Sequence, residues 1–331
     1  MIVFLKPTLS PTDIDRLAVD CQGIYLAEPQ PMLVLSSKVK TLPDLLAAHS
    51  ERFIVTASDI QLADKSFSPE KRKITLDNLE FGGQTANCLL MTGPCSVESQ
   101  EQLNEVARFL VQQQIKVLRA GAFKPRTSPY TFQGKGLQGL QWLDNIRSHY
   151  GLKIISEVRD SSHVQEVIDY ADMIQIGAKS MYDHGILKAC GKTRKPVLLK
   201  RGFGTTLQEF VQAAEFVLSS GNPNVILCER GIRTFETKTR FTLDLCGVAW
   251  LKEYTNLPIV LDPSHAIGYA YGVPSLAKAC LAMGIDGLLI ETHPNPASAL
   301  SDAEQQLNFS QFAQLQKELQ GIAQATGQHI I

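Results

Sequence analysis

From residue 88 onward, short apolar runs of strand type alternate with segments of helical period. The runs are Leu89–Gly93, Val117–Phe123, Lys153–Val158, Met173–Ala178, Pro196–Gly202, Val225–Gly231, Pro258–Ser264 and Gly287–Pro294. Between them apolar residues recur at i, i+3, i+4 and i+7. Leu103, Val106, Ala107 and Leu110 do so in one segment, and Leu207, Phe210, Val211 and Ala214 in another. A strand followed by a helix, repeated around the chain, predicts a (β/α)8 TIM barrel over residues 88–331. An open doubly wound sheet is the alternative, but no Gly-x-Gly-x-x-Gly follows an early strand.

The first 67 residues carry a different rhythm. Ile2–Leu5 is a strand. Ser10-Pro11-Thr12-Asp13 starts a helix, with Ser at the cap, Pro in the first position and an acid in the first turn. Ile14, Leu17, Ala18 and Cys21 share its apolar face, and Gly23 ends it. Gly23–Glu28 and Met32–Ser36 read as strands separated at Pro29 and Pro31. A second helix holds Leu42, Leu45 and Leu46, and Arg52–Thr56 is the last strand. The β-α-β-β-α-β order predicts a small ferredoxin-like α+β domain over 1–67, too small to be stable without a neighbour. Residues 68–87 are expected to be a linker, beginning in the polar stretch DKSFSPEKRK, and a hairpin capping the barrel floor.

Composition narrows the class of function. The 331 residues include 32 Lys+Arg against 33 Asp+Glu, a formal charge of −1. That balance excludes the basic footprint of a nucleic-acid binder and a polybasic membrane anchor. No stretch approaches the roughly 18 apolar residues of a membrane span. The start, MIVFLKPTLSPTD, lacks the basic and small-residue marks of a secretory signal. Seven scattered cysteines without CxxC spacing point to a reducing, cytoplasmic setting.

The chemistry-bearing residues crowd at the C-terminal ends of the strands, the face on which barrel active sites form. They include Cys95, Arg119, Lys124, Arg126, Glu157, Lys179, Lys200, Arg201, Glu229, Arg230, Asp262, His265, Glu291 and His293. So many cations at one mouth of a neutral chain point to an anionic, phosphorylated substrate. Cys95, His265, Glu291 and, beyond the last strand, Asp302 offer a thiol, an imidazole and two carboxylates to a divalent ion, with His293 as a rival ligand. For Glu157 a salt bridge to Lys124 or Lys200 competes with a catalytic role.

These segments carry a family resemblance. Gly93-Pro94-Cys95-Ser96-Val97-Glu98-Ser99, Gly121-Ala122-Phe123-Lys124-Pro125-Arg126-Thr127-Ser128-Pro129-Tyr130, Leu198-Leu199-Lys200-Arg201-Gly202, the run from Ile226 to Glu236, Asp262-Pro263-Ser264-His265 and Leu300-Ser301-Asp302 resemble 3-deoxy-D-arabino-heptulosonate-7-phosphate (DAHP) synthases, in family order. The N-terminal unit resembles that of the type I beta subgroup. The resemblance implies condensation of phosphoenolpyruvate with erythrose 4-phosphate, the first step of the shikimate pathway to aromatic amino acids. It implies that Arg119, Lys124, Lys179, Lys200 and Arg230, with backbone around Gly177 and Ala178, hold phosphoenolpyruvate. Lys124, Pro125, Arg126, Thr127 and Ser128 would hold the aldose phosphate. Cys95, His265, Glu291 and Asp302 would hold one divalent ion (Mn, Fe, Co or Zn). Lys124 would be the proton donor and Glu157 would orient water or a lysine. A feedback role for the N-terminal unit, an aromatic amino acid effector and a homo-oligomer, tetramer or dimer, are implied too. Lys179 stands where the family usually has Arg, and Gly268-Tyr269-Ala270-Tyr271-Gly272 replaces a more basic segment. Two other readings remain open at this point: a synthase of the 3-deoxy-octulosonate 8-phosphate type using another aldose phosphate, and a catalytically silent sugar-phosphate-binding paralogue.

Overall fold

Four strands open the chain: β1 (Ile2–Leu5), β2 (Ile24–Leu26), β3 (Met32–Val34) and β4 (Ser50–Ile54). Helix α1 (Pro11–Asp20) follows the first strand, and a single helical turn, α2 (Asp44–Ala47), follows the third. The strands pair antiparallel in the order β2-β3-β1-β4. Helix α1 begins where its sequence dictates, because the Ser10 hydroxyl accepts the Asp13 N–H at 3.2 Å and Pro11 has no donor to leave unpaired. The strand period of two then gives the sheet two apolar faces. Val3, Leu5, Leu33 and Leu35 pack beneath Ile14, Leu17 and Leu46. Ile2, Phe4, Met32 and Val34 point the other way and join the core of the second domain.

In this computed structural model residues 1–124 and 128–331 are described. After the first sheet comes a hairpin, β5 (Lys73–Leu76) and β6 (Leu79–Gly82). Eight parallel strands follow: β7 (Asn87–Gly93), β8 (Val117–Arg119), β9 (Lys153–Val158), β10 (Met173–Ile176), β11 (Val197–Lys200), β12 (Val225–Glu229), β13 (Ile259–Leu261) and β14 (Gly287–Glu291). Each pairs with the next, and β14 pairs back onto β7, closing a (β/α)8 TIM barrel. A short C-terminal strand, β15 (His329–Ile330), adds to the start of β7.

The barrel interior is stratified by the same period of two. Its lower tier is apolar: Val117, Ile155, Met173, Leu198, Ile226, Val260 and Leu289 are buried together, and Ile74, Leu76, Leu79 and Phe81 of the hairpin pack against them from below. Two residues further along six of those strands come Arg119, Glu157, Gln175, Lys200, Asp262 and Glu291. A polar upper tier therefore stands on an apolar floor at the C-terminal end.

Six of the eight strands are shorter than their apolar runs suggest, the second and seventh most of all. The second stops at Arg119. The seventh stops at Leu261, because Asp262 caps a new helix, Pro263–Ile267, accepting the His265 N–H at 3.0 Å with Pro263 in the first position. His265 thus rides on a helical turn, not on extended chain.

The seam between the domains has a polar frame. The half-buried Glu215 carboxylate, on helix Leu207–Ser219, accepts the backbone N–H groups of Gln61 and Ala63, both at 2.8 Å. Asn256 donates to the carbonyls of Leu62 and Asp64, each at 3.0 Å, and Arg72 donates to the Asn256 side-chain oxygen at 3.0 Å.

Candidate functional site

Four chain segments meet at the mouth. Cys95 lies in the turn after β7, His265 on the helix after β13, Glu291 at the tip of β14 and Asp302 in the loop beyond. One ligand atom each from Cys95, Glu291 and Asp302 lies within 4.8 Å of the others. His265 Nε2 stands 3.6 Å from Glu291 Oε1 and 3.8 Å from Asp302 Oδ2. Cys95 Sγ is 3.3 Å from Asp302 Oδ2. The four residues proposed as ligands from sequence are brought together. His293 is not among them: its Nε2 is 2.9 Å from Gln102 Nε2 and its Nδ1 accepts the Asn295 N–H at 3.0 Å. It lies beyond the end of β14, where strand alternation no longer decides which way a side chain faces.

Surrounding groups fix this cluster. Asp262, fully buried, accepts His265 Nδ1–H at 2.7 Å and Lys200 Nζ at 2.6 Å. That contact places the ring proton on Nδ1 and leaves Nε2 bare toward the carboxylates. Burial depresses the His265 imidazolium below its ordinary range, Lys200 adding to this and Asp262 opposing it. Arg119 donates through Nη1 to Glu291 Oε1 and to the Pro94 carbonyl, both at 2.8 Å. Lys124 Nζ lies 3.0 Å from Cys95 Sγ. Burial pulls against the Lys124 ammonium, but the ionised form of Cys95 and the carboxylates of Glu157, Glu291 and Asp302 outweigh it and hold its pKa above the usual lysine range. The Cys95 thiol is pushed up to about 12 by burial and by Glu291, with Lys124 opposing. The surroundings thus favour a neutral thiol, which a bound cation would turn into a thiolate.

Beside the cluster opens a cavity of about 370 Å³, with Lys124, Lys179, Lys200, Arg230, Arg233 and Arg240 in its wall. Gly177 and Ala178 line it too. A Cβ at position 177 would sit 2.0 Å from Glu157 Oε1, so any side chain there would displace the Glu157 carboxylate. Glu157 is held by Gln175 Nε2 at 2.9 Å. Arg230 lies buried over the Phe241 ring at 4.1 Å, and Arg233 covers Phe203 at 4.5 Å. The two rings stack on each other at 5.6 Å. The aromatic pair braces two guanidinium groups and leaves their edges for an anion.

The cations do not all converge, however. Arg201 follows Lys200 by one residue and so faces outward, where it pairs with Glu229 at 2.9 Å and Asp244 at 2.8 Å behind the strands. Arg201 and Glu229 are framework, not mouth. Ser128 is bound into its own turn, its carbonyl accepting Thr131 Oγ1 at 2.9 Å. Pro125, Arg126 and Thr127 lie outside the described residues. Sequence reasoning passed over Phe203, Phe241, Arg240, Gln305 and Gln306. The last two sit in a polar stretch, 301–306, that reads as ordinary loop until its burial is seen.

Comparisons with known proteins give the chain's relatives. The DAHP synthetase I family profile matches residues 71–327. A phospho-2-dehydro-3-deoxyheptonate aldolase of Thermotoga maritima is 39% identical over 342 residues, covering 99% of each chain. The crystal structure of a DAHP synthase from that organism superposes with a TM-score of 0.81 at 38% identity, covering 100% of this chain and 99% of that one. A 2-dehydro-3-deoxyphosphooctonate aldolase of Syntrophotalea carbinolica is 30% identical, matching 77% of this chain and 96% of its own. The chain belongs to the DAHP synthetase I family.

Proposed function

We propose that this protein condenses phosphoenolpyruvate with erythrose 4-phosphate to give DAHP and inorganic phosphate, as a C–C bond-forming transferase. The observation that carries this reading is the juxtaposition of a cation-walled cavity with the Cys95–His265–Glu291–Asp302 cluster on the polar tier of the barrel. The 39% identical relative spans both domains, whereas the octulosonate-type relative matches 77% of this chain, which favours the four-carbon aldose.

The donor set of one thiol, one imidazole and two carboxylates fits a divalent transition ion of the Mn, Fe, Co or Zn kind. When bound, that ion supplies Lewis acidity at the aldehyde oxygen. Lys200, Arg230 and Lys179, with Arg119 beneath, neutralise and orient the phosphate and carboxylate of phosphoenolpyruvate. The segment from Lys124 to Ser128, Pro125, Arg126 and Thr127 included, holds the aldose phosphate. The C3 carbon of phosphoenolpyruvate attacks the aldehyde carbon and a C–C bond forms. Lys124 Nζ, kept protonated by its neighbours, donates a proton to the nascent alkoxide oxygen. Water adds at C2, oriented by Glu157, and phosphate leaves by C–O cleavage.

The N-terminal domain serves as the feedback module, with an aromatic amino acid as effector, in a homo-oligomer. The exposed Ile24 and Tyr25 on edge strand β2 and Phe53 on edge strand β4 supply apolar surface for such contacts. Phosphate release from phosphoenolpyruvate tests the main reading. Release that requires erythrose 4-phosphate supports it; release with arabinose 5-phosphate instead transfers the protein to the octulosonate-type reaction; silence with every aldose and metal overturns it.

A further inference from the structure

Two adjacent glutamines, Gln305 and Gln306, lie just past Asp302 and are both buried. Every polar atom of the two side-chain amides has a partner. Gln305 Nε2 donates to Glu291 Oε2 at 2.5 Å, and Gln305 Oε1 accepts from Arg240 Nη1 at 2.7 Å. Gln306 Oε1 accepts the Cys95 N–H at 3.0 Å, and Gln306 Nε2 donates to the Ser301 carbonyl at 2.9 Å. The next residue anchors the segment: the Leu307 N–H donates to the Glu291 carbonyl at 2.9 Å, and Leu307 O accepts the His293 N–H at 2.9 Å. Asp302, at the head of the segment, holds a left-handed φ of 46°, and Arg240 Nη1 lies 3.6 Å from its Oδ1.

We propose that Gln305 and Gln306 are positioning residues that assemble the metal-ligand set, Gln305 fixing the Glu291 carboxylate and Gln306 fixing the backbone of Cys95. The inference rests on the reading of the four-residue cluster as a metal site. Only an amide serves at position 305. A carboxylate there would face Glu291 oxygen to oxygen, and an aliphatic side chain would strip both Glu291 and Arg240 of a partner. At position 306 the same logic applies to a buried N–H and a buried carbonyl. The 302–306 segment thus joins Asp262, which orients His265, and Arg119, which also holds Glu291: it carries Asp302 and registers Glu291 and Cys95. Outer partners of this kind set metal affinity through ligand orientation, typically by 10- to 100-fold.

The test uses the full chain stripped of metal. Mn²⁺ is titrated in and the free ion followed by electron paramagnetic resonance. Co²⁺ loading then reads the thiolate-to-metal charge-transfer band of Cys95, which a merely structural role would not move. Gln305→Leu and Gln306→Leu are expected to weaken Mn²⁺ binding roughly 10- to 100-fold and to shift or broaden the Co²⁺ band. Arg240→Leu, whose side chain is 41% exposed, leaves folding least at risk. It is expected to weaken binding at least about threefold by freeing the far end of Gln305. Should either glutamine variant fail to fold, Arg240→Leu decides. Folded variants with wild-type affinity and an unchanged band overturn the proposal. If Cys95→Ala also leaves wild-type affinity and the Co²⁺ spectrum untouched, the metal reading itself falls, and the positioning role with it.

Discussion

The seam at Glu215 allows a quantitative test of how the two domains are joined. Replacing Glu215 with Ala leaves the buried N–H groups of Gln61 and Ala63 without an acceptor. Each orphaned donor costs about 1–3 kcal/mol, so the attachment loses about 2–6 kcal/mol. At roughly 1.4 kcal/mol per tenfold, even the low end raises the population of the undocked state about 30-fold. The lesion is local: the apolar contact made by Ile2, Phe4, Met32 and Val34 is untouched. The barrel closes on its own strand ladder, β14 pairing back onto β7, so it should stay folded while the attachment loosens. Native-state proteolysis across residues 56–72 reads the open population directly. A cleavage rate within about twofold of wild type would refute the accounting.

The carboxylate also gives the seam a pH dependence. Burial raises the Glu215 pKa above its ordinary range, against the pull of the 61–63 backbone and Arg72. The docked state therefore binds a proton that the solvated, undocked state does not. Docking strengthens as pH falls through the raised value toward the ordinary glutamate value of about 4.3, and the gain is absent above the raised value. Cleavage of the wild-type seam, normalised to an unstructured substrate, should slow on acidification while that of Glu215→Gln stays flat.

Other expectations concern the site. Asp262→Asn leaves the buried Lys200 without its counter-ion and frees the His265 ring, so kcat should fall about 10- to 100-fold; unchanged turnover would detach Asp262 from the chemistry. Lys179→Ala should raise the KM for phosphoenolpyruvate about tenfold, from loss of a charge-assisted contact at the cavity rim, and an unaltered KM would place Lys179 outside the site. Arg201→Met isolates the buried Glu229 carboxylate and should destabilise the fold by about 3–5 kcal/mol in urea, a loss that would not be seen if Glu229 were a solvated group. A chelator should abolish turnover and Mn²⁺ restore it; full activity of metal-stripped protein would remove the ion from the reaction.

The alternation of apolar runs and helical segments identifies the barrel because its strands, covered on both faces, must be continuously apolar. The same continuity hides which residue of a strand end faces inward. Within Val197–Lys200 both Leu198 and Leu199 are buried, so nothing local separates Lys200 from Arg201. The four residues proposed as metal ligands stand out in the sequence because thiol, imidazole and carboxylate are chemically conspicuous, and the structure brings them together. Gln305 and Gln306 were not, since amides carry no charge and gain meaning only from what they touch. The misreading of Pro258–Ser264 as strand has a local remedy: Asp262-Pro263 is itself a helix-start pair. His293 was out of reach, its direction being set after the strand has ended.

The neighbours Lys200 and Arg201 show how little separates framework from chemistry in such a barrel. They carry the same sign, sit one peptide apart, and answer to different acids, Asp262 and Glu229. A single-residue deletion in β11 would rotate one cation out and the other in, conserving composition and net charge almost perfectly while exchanging both partners. Length in this strand therefore matters by parity: a change of two residues keeps Lys200 and Arg201 in frame, and a change of one does not.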